Sequence, residues 1–252
     1  MKKKFVESEQ ILTSIIFNWS IIQVFLSMKR IFGVKRKKKT KKIFFEVSLE
    51  ESIKNSKDLN SNGYPFPFIH LLEFIENNLL DVPFMYRMGA SRDLINEIKE
   101  KYDSKKNIDL SNYYDHDVLL AFKTFLGEIE GNLIDETTSK AFEIDDDKVD
   151  IRRKLLYLPK ENFYCLKRLI KHFRMIIQHT ETNQLKVDHI STLFHAIVFK
   201  NSDSEDFTSY TKFSALSQKI LPIMIEEYDT IFEEQLTRIS PIQMIDIQFK
   251  FK

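Results

Sequence analysis

Cysteine is almost missing from this 252-residue chain: Cys165 stands alone, which excludes a disulfide scaffold. Glycine (five) and proline (six) are also scarce, excluding collagen-like and glycine-rich architectures. No G-x-x-x-x-G-K stretch is present to cradle a phosphate, so the chain is not expected to bind nucleotide on its own. A G-x-S-x-G elbow is missing too, and Cys165 has no identifiable base beside it, so nucleophilic catalysis has no support. The histidines His70, His116, His172, His179, His189 and His195 include no i, i+4 pair with a carboxylate at metal-site spacing. Neither a metal nor any other cofactor is therefore expected. In Asp115-His116-Asp117 adjacent side chains diverge on a helix, so a capping or loop role is expected there.

What is present is apolar and charged: 43% hydrophobic and 30% charged residues, in long Leu/Ile/Phe/Lys/Glu stretches that predict an all-α fold. The net charge of +1 hides an asymmetry. Residues 1–42 hold twelve Lys/Arg against Glu7 and Glu9, while the remainder is acidic. Within that basic extension, residues 11–28 carry no charge at all. Eighteen helical residues span about 27 Å, slightly short of a hydrocarbon core of about 30 Å. Lys29, Arg30, Lys35–Lys39, Lys41 and Lys42 follow it, and this flank would keep the body cytosolic. Three readings fit residues 11–42: attachment to an anionic membrane, a packed or disordered extension, and a basic targeting or nucleic-acid patch. Membrane attachment is the reading adopted, and nucleic acid is not expected as a partner.

Beyond residue 43, Ile43–Val47 reads as a short extended segment, and Asn55–Gly63 is polar and turn-rich. Pro67 opens a helix whose apolar positions Phe68, Leu71, Leu72, Ile75 and Leu79 follow the 3.6 period. A loop at Asp81–Ala90 comes next, and Ser91 caps a helix with Leu94, Ile95, Ile98 and Tyr102 inward. Further helices are predicted over Asp117–Leu126, 160–178 and Asp188–Phe199, with one or two more around Pro222 in Ser214–Gln235. Cys165 lies near the apolar stripe of the 160–178 helix, as a buried structural thiol would. The stretch 131–150 is acidic and less regular, and Ile245, Ile247, Phe249 and Phe251 alternate like a strand. The organisation expected is an extension at 1–42, a helical domain at 43–236 and a tail at 237–252.

The loop between the first two amphipathic helices contains Met85-Tyr86-Arg87-Met88-Gly89. An arginine on a short turn can be presented to a partner's phosphate, since guanidinium is planar, always charged and forks onto oxyanions. On this loop alone, an ordinary surface arginine or one in a local salt bridge is the favoured reading.

A set of segments in order resembles the Rho-type GTPase-activating (RhoGAP) domain family over about 43–235. Phe45–Glu51 is similar to the family's leading segment, which has glycine where Glu46 stands. Leu80–Gly89 resembles the "GLxxEGIYRVSG" loop, with Arg87 at the arginine-finger position and Pro83-Phe84 in place of Glu-Gly. Asp115–Leu133 resembles the family's lysine-bearing helix, with Lys123 on that lysine and Gly127 where an arginine is usual. Leu158-Pro159 and Asn162 match its "LP…N" segment, Thr182–Leu185 sits at its "N-K-M" motif, and His189 stands where an asparagine faces the GTPase.

The resemblance implies a RhoGAP-like helical bundle acting on a Rho-family small GTPase in its GTP-bound form. Arg87 would supply the catalytic finger in trans. Lys123, Asn183 and His189 are the implied GTPase contacts, with ordering its own turn the favoured role for Asn183. The alternative it leaves is a RhoGAP-like module that grips a GTPase or another partner without accelerating hydrolysis. A cytoplasmic protein, attached at most to the cytosolic face of a membrane, is the expected location.

Overall fold

In the computed structural model, the described residues are 41–142, 148–200 and 207–233. They form α1 (Leu49–Asn55), α2 (Phe66–Asn78), α3 (Arg92–Asp103), α4 (Asp115–Gly127), α5 (Glu136–Phe142), α6 (Lys148–Leu155), α7 (Lys160–Gln178), α8 (Thr180–Asn183), α9 (Val187–Val198) and α10 (Phe207–Glu226). A 3₁₀ turn at Leu110–Asn112 precedes α4, and a π turn at Asp229–Glu233 follows α10. Among the described residues there is no strand, only two isolated parallel bridges, Ser48 with Glu130 and Ile134 with Phe199. The all-α bundle expected from the sequence is what forms.

Local chemistry explains four of the helix starts. Ser91 accepts the Leu94 N–H and starts α3, and Ser48 accepts the Glu51 N–H at 3.2 Å and starts α1. Pro65 caps α2 with Pro67 in its first turn, and Pro159 caps α7, positions where a missing N–H costs nothing. The helix α4 lies between α2, α3 and α9, while α7 packs on α2 and α10. Phe68, Phe122, Phe125, Phe173 and Phe194 fill the space between them. Each fully buried ring of this kind contributes about 1.5–3 kcal/mol by leaving water.

Four expectations are corrected. Residues 43–47 are bends rather than an extended run, because their amides turn inward onto one side chain. Asp103 Oδ1 accepts the N–H of Ile43 (3.1 Å), Phe44 (2.8 Å) and Phe45 (3.4 Å), and the Phe44 and Phe45 rings are buried. The part of 131–150 that is described is more regular than its acidity suggests, since α5 and the start of α6 occupy it. The short α1 was not expected at all. Pro222 does not divide the last helix: α10 begins at Phe207 and runs through it to Glu226. The apolar run 11–28 and the alternation at 245–251 lie outside the described residues. Among those described, no helix is long and apolar enough to cross a membrane.

Candidate functional site

The loop joining α2 to α3 alternates between interior and solvent. Met85 and Tyr86 are buried, whereas Phe84, Arg87 and Met88 are exposed. Two short turns shape it, with the Met85 N–H on the Val82 carbonyl (3.3 Å) and the Arg87 N–H on the Phe84 carbonyl (3.0 Å). Phe84 and Tyr86 both have left-handed backbones, φ 55° and 61°. That region costs an L-residue roughly 1–2 kcal/mol, so the surrounding structure must hold the loop in place.

It is held at both ends and from beneath. Asn183, fully buried, donates its amide to the carbonyls of Leu80 (3.0 Å) and Ile176 (2.8 Å) and accepts the Leu185 N–H (2.8 Å). Its backbone carbonyl takes the Phe84 N–H at 3.0 Å. Asp81 accepts from Thr182 Oγ1 (2.6 Å) and contacts His179 Nδ1 (2.8 Å), and these two bonds, Thr182 first, lower its carboxyl below the usual range. At the far end the Ser91 N–H donates to Asp117 at 2.9 Å, the loop-fastening role open to the Asp115–Asp117 cluster. Beneath the tip, Tyr86 sits edge-on to Phe194 (5.0 Å) and bonds His172 Nε2 at 2.9 Å. His172 Nδ1 faces Glu76 at 3.1 Å, and Arg168 closes on Glu76 with two bonds. Burial alone would push the Glu76 carboxyl up, but the bonds from Arg168 and His172 prevail and hold it at about 2.

Arg87 stands at the tip with its guanidinium 5.8 Å from the centre of the Phe84 ring. Lys123, half-buried on α4, places its ammonium 5.7 Å from the Phe194 ring, and burial lowers it below the ordinary lysine value. One ring thus seats both Tyr86 and Lys123, which brings the Arg87 loop and α4 together.

The RhoGAP domain profile matches residues 65–203, more than half the chain, and this span contains the whole loop and the helices that hold it. The chain belongs to the RhoGAP domain family. It is 23% identical over 186 residues to Rho GTPase-activating protein gacN of Dictyostelium discoideum, covering 70% of this chain and 30% of that protein. Over 198 residues it is 28% identical to GTPase-activating protein BEM2 of Eremothecium gossypii, covering 71% of this chain and 9% of that one. The chain therefore spans less than a third of the length of either relative. The crystal structure of human Rho GTPase-activating protein 15 superposes with a TM-score of 0.67 at 19% identity, covering 82% of this chain and 98% of that one. At that identity the likeness establishes the fold.

Asn183, for which the sequence favours ordering its own turn over reaching the GTPase, is fully buried with its amide donated inside the protein, where it fastens the loop. His189 is half-buried, and its Nδ1 accepts the Lys186 N–H at 3.3 Å to cap α9, so the ring is folded back onto its own helix. Gly127 closes α4, and a Cβ there would meet only Ile197, at 4.0 Å, which leaves room for a larger side chain. Asn162 donates to the carbonyls of Asn132 (3.2 Å) and Leu133 (3.0 Å), steadying the turn that replaces the family's proline-rich one. Cys165 is buried, and burial pushes its thiol well up, which makes it unreactive. Among the described residues no group of three His, Cys, Asp or Glu is arranged to hold a metal ion.

Sequence reasoning missed Tyr86, His172, Glu76 and Arg168 as parts of the site. One trace was available: Arg168 and His172 are four apart on α7, so they share a helical face.

Proposed function

We propose that this domain stimulates GTP hydrolysis by a Rho-type small GTPase in its GTP-bound form, with Arg87 reaching into the partner's site. The observation that carries the reading is the pairing of an exposed Arg87 with a buried Tyr86 immediately before it, on a loop fastened at both ends. Such a loop can present its guanidinium without ordering much backbone on contact, which favours the transition state. The partner brings its own nucleotide, magnesium and water-orienting glutamine. Arg87 would add charge where the transferred phosphoryl group gains it, an effect worth about 10³–10⁵ in rate for arginine fingers of Ras-type systems. Lys123 would steady α4 against the loop through Phe194.

Single-turnover hydrolysis by GTP-loaded Rho-family GTPases, with and without the protein, tests this. Arg87→Ala should remove about a thousandfold or more of the stimulation while GTPase affinity stays within a few-fold. Stimulation that survives the substitution would exclude Arg87 from the chemistry. A binding module is the second reading, favoured by Gly127 at the family's arginine position and by the His189 ring turned onto its own helix. Saturable binding with no acceleration would select it.

A further inference from the structure

We infer that Tyr86 is a positioning residue for Arg87, acting through its buried hydrogen bond to His172, whose imidazole is in turn fixed by Glu76. The inference rests on the proposed GTPase-activating reading and names how this chain sets the loop for it.

The direction of each bond follows from what each group can give. Arg168 only donates, and Glu76, ionised beside it, only accepts. His172 Nδ1, 3.1 Å from that carboxylate, must therefore carry the proton. Burial lowers the imidazole pKa and keeps the ring neutral, so Nε2 is left as an acceptor. Tyr86 then donates its O–H to Nε2 at 2.9 Å. The bonds run one way, from Tyr86 to His172 to Glu76, with Arg168 closing the far end.

This chain of bonds meets the loop at the residue before Arg87. Tyr86 holds a left-handed backbone that L side chains rarely adopt, and its ring is pinned between Phe122 and Phe194. Pinning the ring leaves it able to tilt along its own plane, and the O–H bond removes that freedom by fixing the far end of the side chain. Because Arg87 is one peptide away, its Cα direction follows the Tyr86 setting. Every group in the series is buried or nearly so, which makes the bond costly to leave unmade and therefore persistent.

Tyr86→Phe keeps the ring and removes only the O–H. In single-turnover hydrolysis with a responsive GTP-loaded Rho-family GTPase, it should lower the stimulated rate about tenfold and leave GTPase affinity within twofold. In an Arg87→Ala background the same change should have no further effect, since Tyr86 acts through Arg87. His172→Gln, which can keep an acceptor near the Tyr86 O–H, should retain more of the rate than His172→Leu. A Tyr86→Phe rate equal to the parent's, an equal loss of affinity, or an undiminished effect in the Arg87→Ala background would each overturn the inference. A parent chain that stimulates no Rho-family GTPase would instead overturn the reading beneath it. In that event the exchange of the Arg87 amide decides: faster exchange in Tyr86→Phe supports the hold on the loop, and unchanged exchange removes it.

Discussion

The segment at 43–48 gives three successive backbone N–H groups to one oxygen of Asp103, and the loop at 80–91 gives a carbonyl and an N–H to Asn183. Both segments lack regular structure, and both hold a non-glycine residue at φ 55°, Glu46 in one and Phe84 in the other. Each of these positions is a glycine in the RhoGAP pattern that the sequence resembles. The two part company in that only the loop leaves an aromatic ring exposed. Phe44 and Phe45 are each 1% exposed, with Phe45 edge-on to Phe125 at 5.3 Å, whereas Phe84 is 40% exposed beside Arg87. Polar fastening by one helical residue is thus common to both. Apolar burial is what turns one segment into an anchor, and its lack at the tip leaves the other free to meet a partner.

Removing that burial should give the largest effect. Phe45→Ala should cost about 3–5 kcal/mol in denaturant unfolding, with stimulated hydrolysis per folded molecule unchanged. If hydrolysis falls as far as stability does, the two segments are not separate in function. Acid should act next, through the underside of the loop. Glu76 is held at about 2 in the folded chain against 4.5 ordinarily, so its contribution is whole above about pH 4.5 and is lost as pH falls toward 2. The size is on the order of 3 kcal/mol. His172, depressed by burial, adds loss in the same direction once pH drops below about 6.5, because only the unfolded chain takes up its proton readily. Unfolding midpoints between pH 5 and 2 should show the Glu76 slope, and Glu76→Gln should flatten it.

Asn183→Ala strips two buried carbonyls of their donors and should cost about 2 kcal/mol. Unlike Phe45→Ala, it should also lower the stimulated rate of the molecules that remain folded, which sharpens the contrast between anchor and loop. The smallest expected effect is on Phe84→Gly. Relief of the left-handed backbone and the greater freedom of unfolded glycine nearly cancel, leaving stability within about 1 kcal/mol of the parent. The stimulated rate should nevertheless fall a few-fold, since the Arg87 guanidinium loses the ring it rests against.

Much of the frame could be read from residue order. The helices α2, α3, α4, α7 and α9 each bury one face at helical spacing, so periodicity alone finds them, and α2, α3 and α7 also begin at a serine cap or a proline. The short α1 and α5 carry polar sequences with little periodicity, and seven residues make a marginal helix without tertiary support. The exposed place of Arg87 on its turn was legible because its loop keeps a local pattern. The Tyr86–His172 and Glu76–His172 bonds were not, because they join positions 86 and 96 residues apart, and nothing in a local window pairs them. Asn183 shows an intermediate case. Its neighbourhood was legible, but its burial depends on Leu80 arriving 103 residues away. Glu46 and Phe84 mislead in a different manner, since neither residue type announces a left-handed backbone.

Phe194 has a consequence for how this domain can change over generations. Its ring seats Tyr86 at 5.0 Å and Phe173 at 4.7 Å, and it lies 5.7 Å from the Lys123 ammonium. A smaller residue there would unseat the loop, α7 and the α4 lysine in one step. Selection therefore meets these four positions as a single inherited character, while exposed Met88 on the same loop lies outside that set.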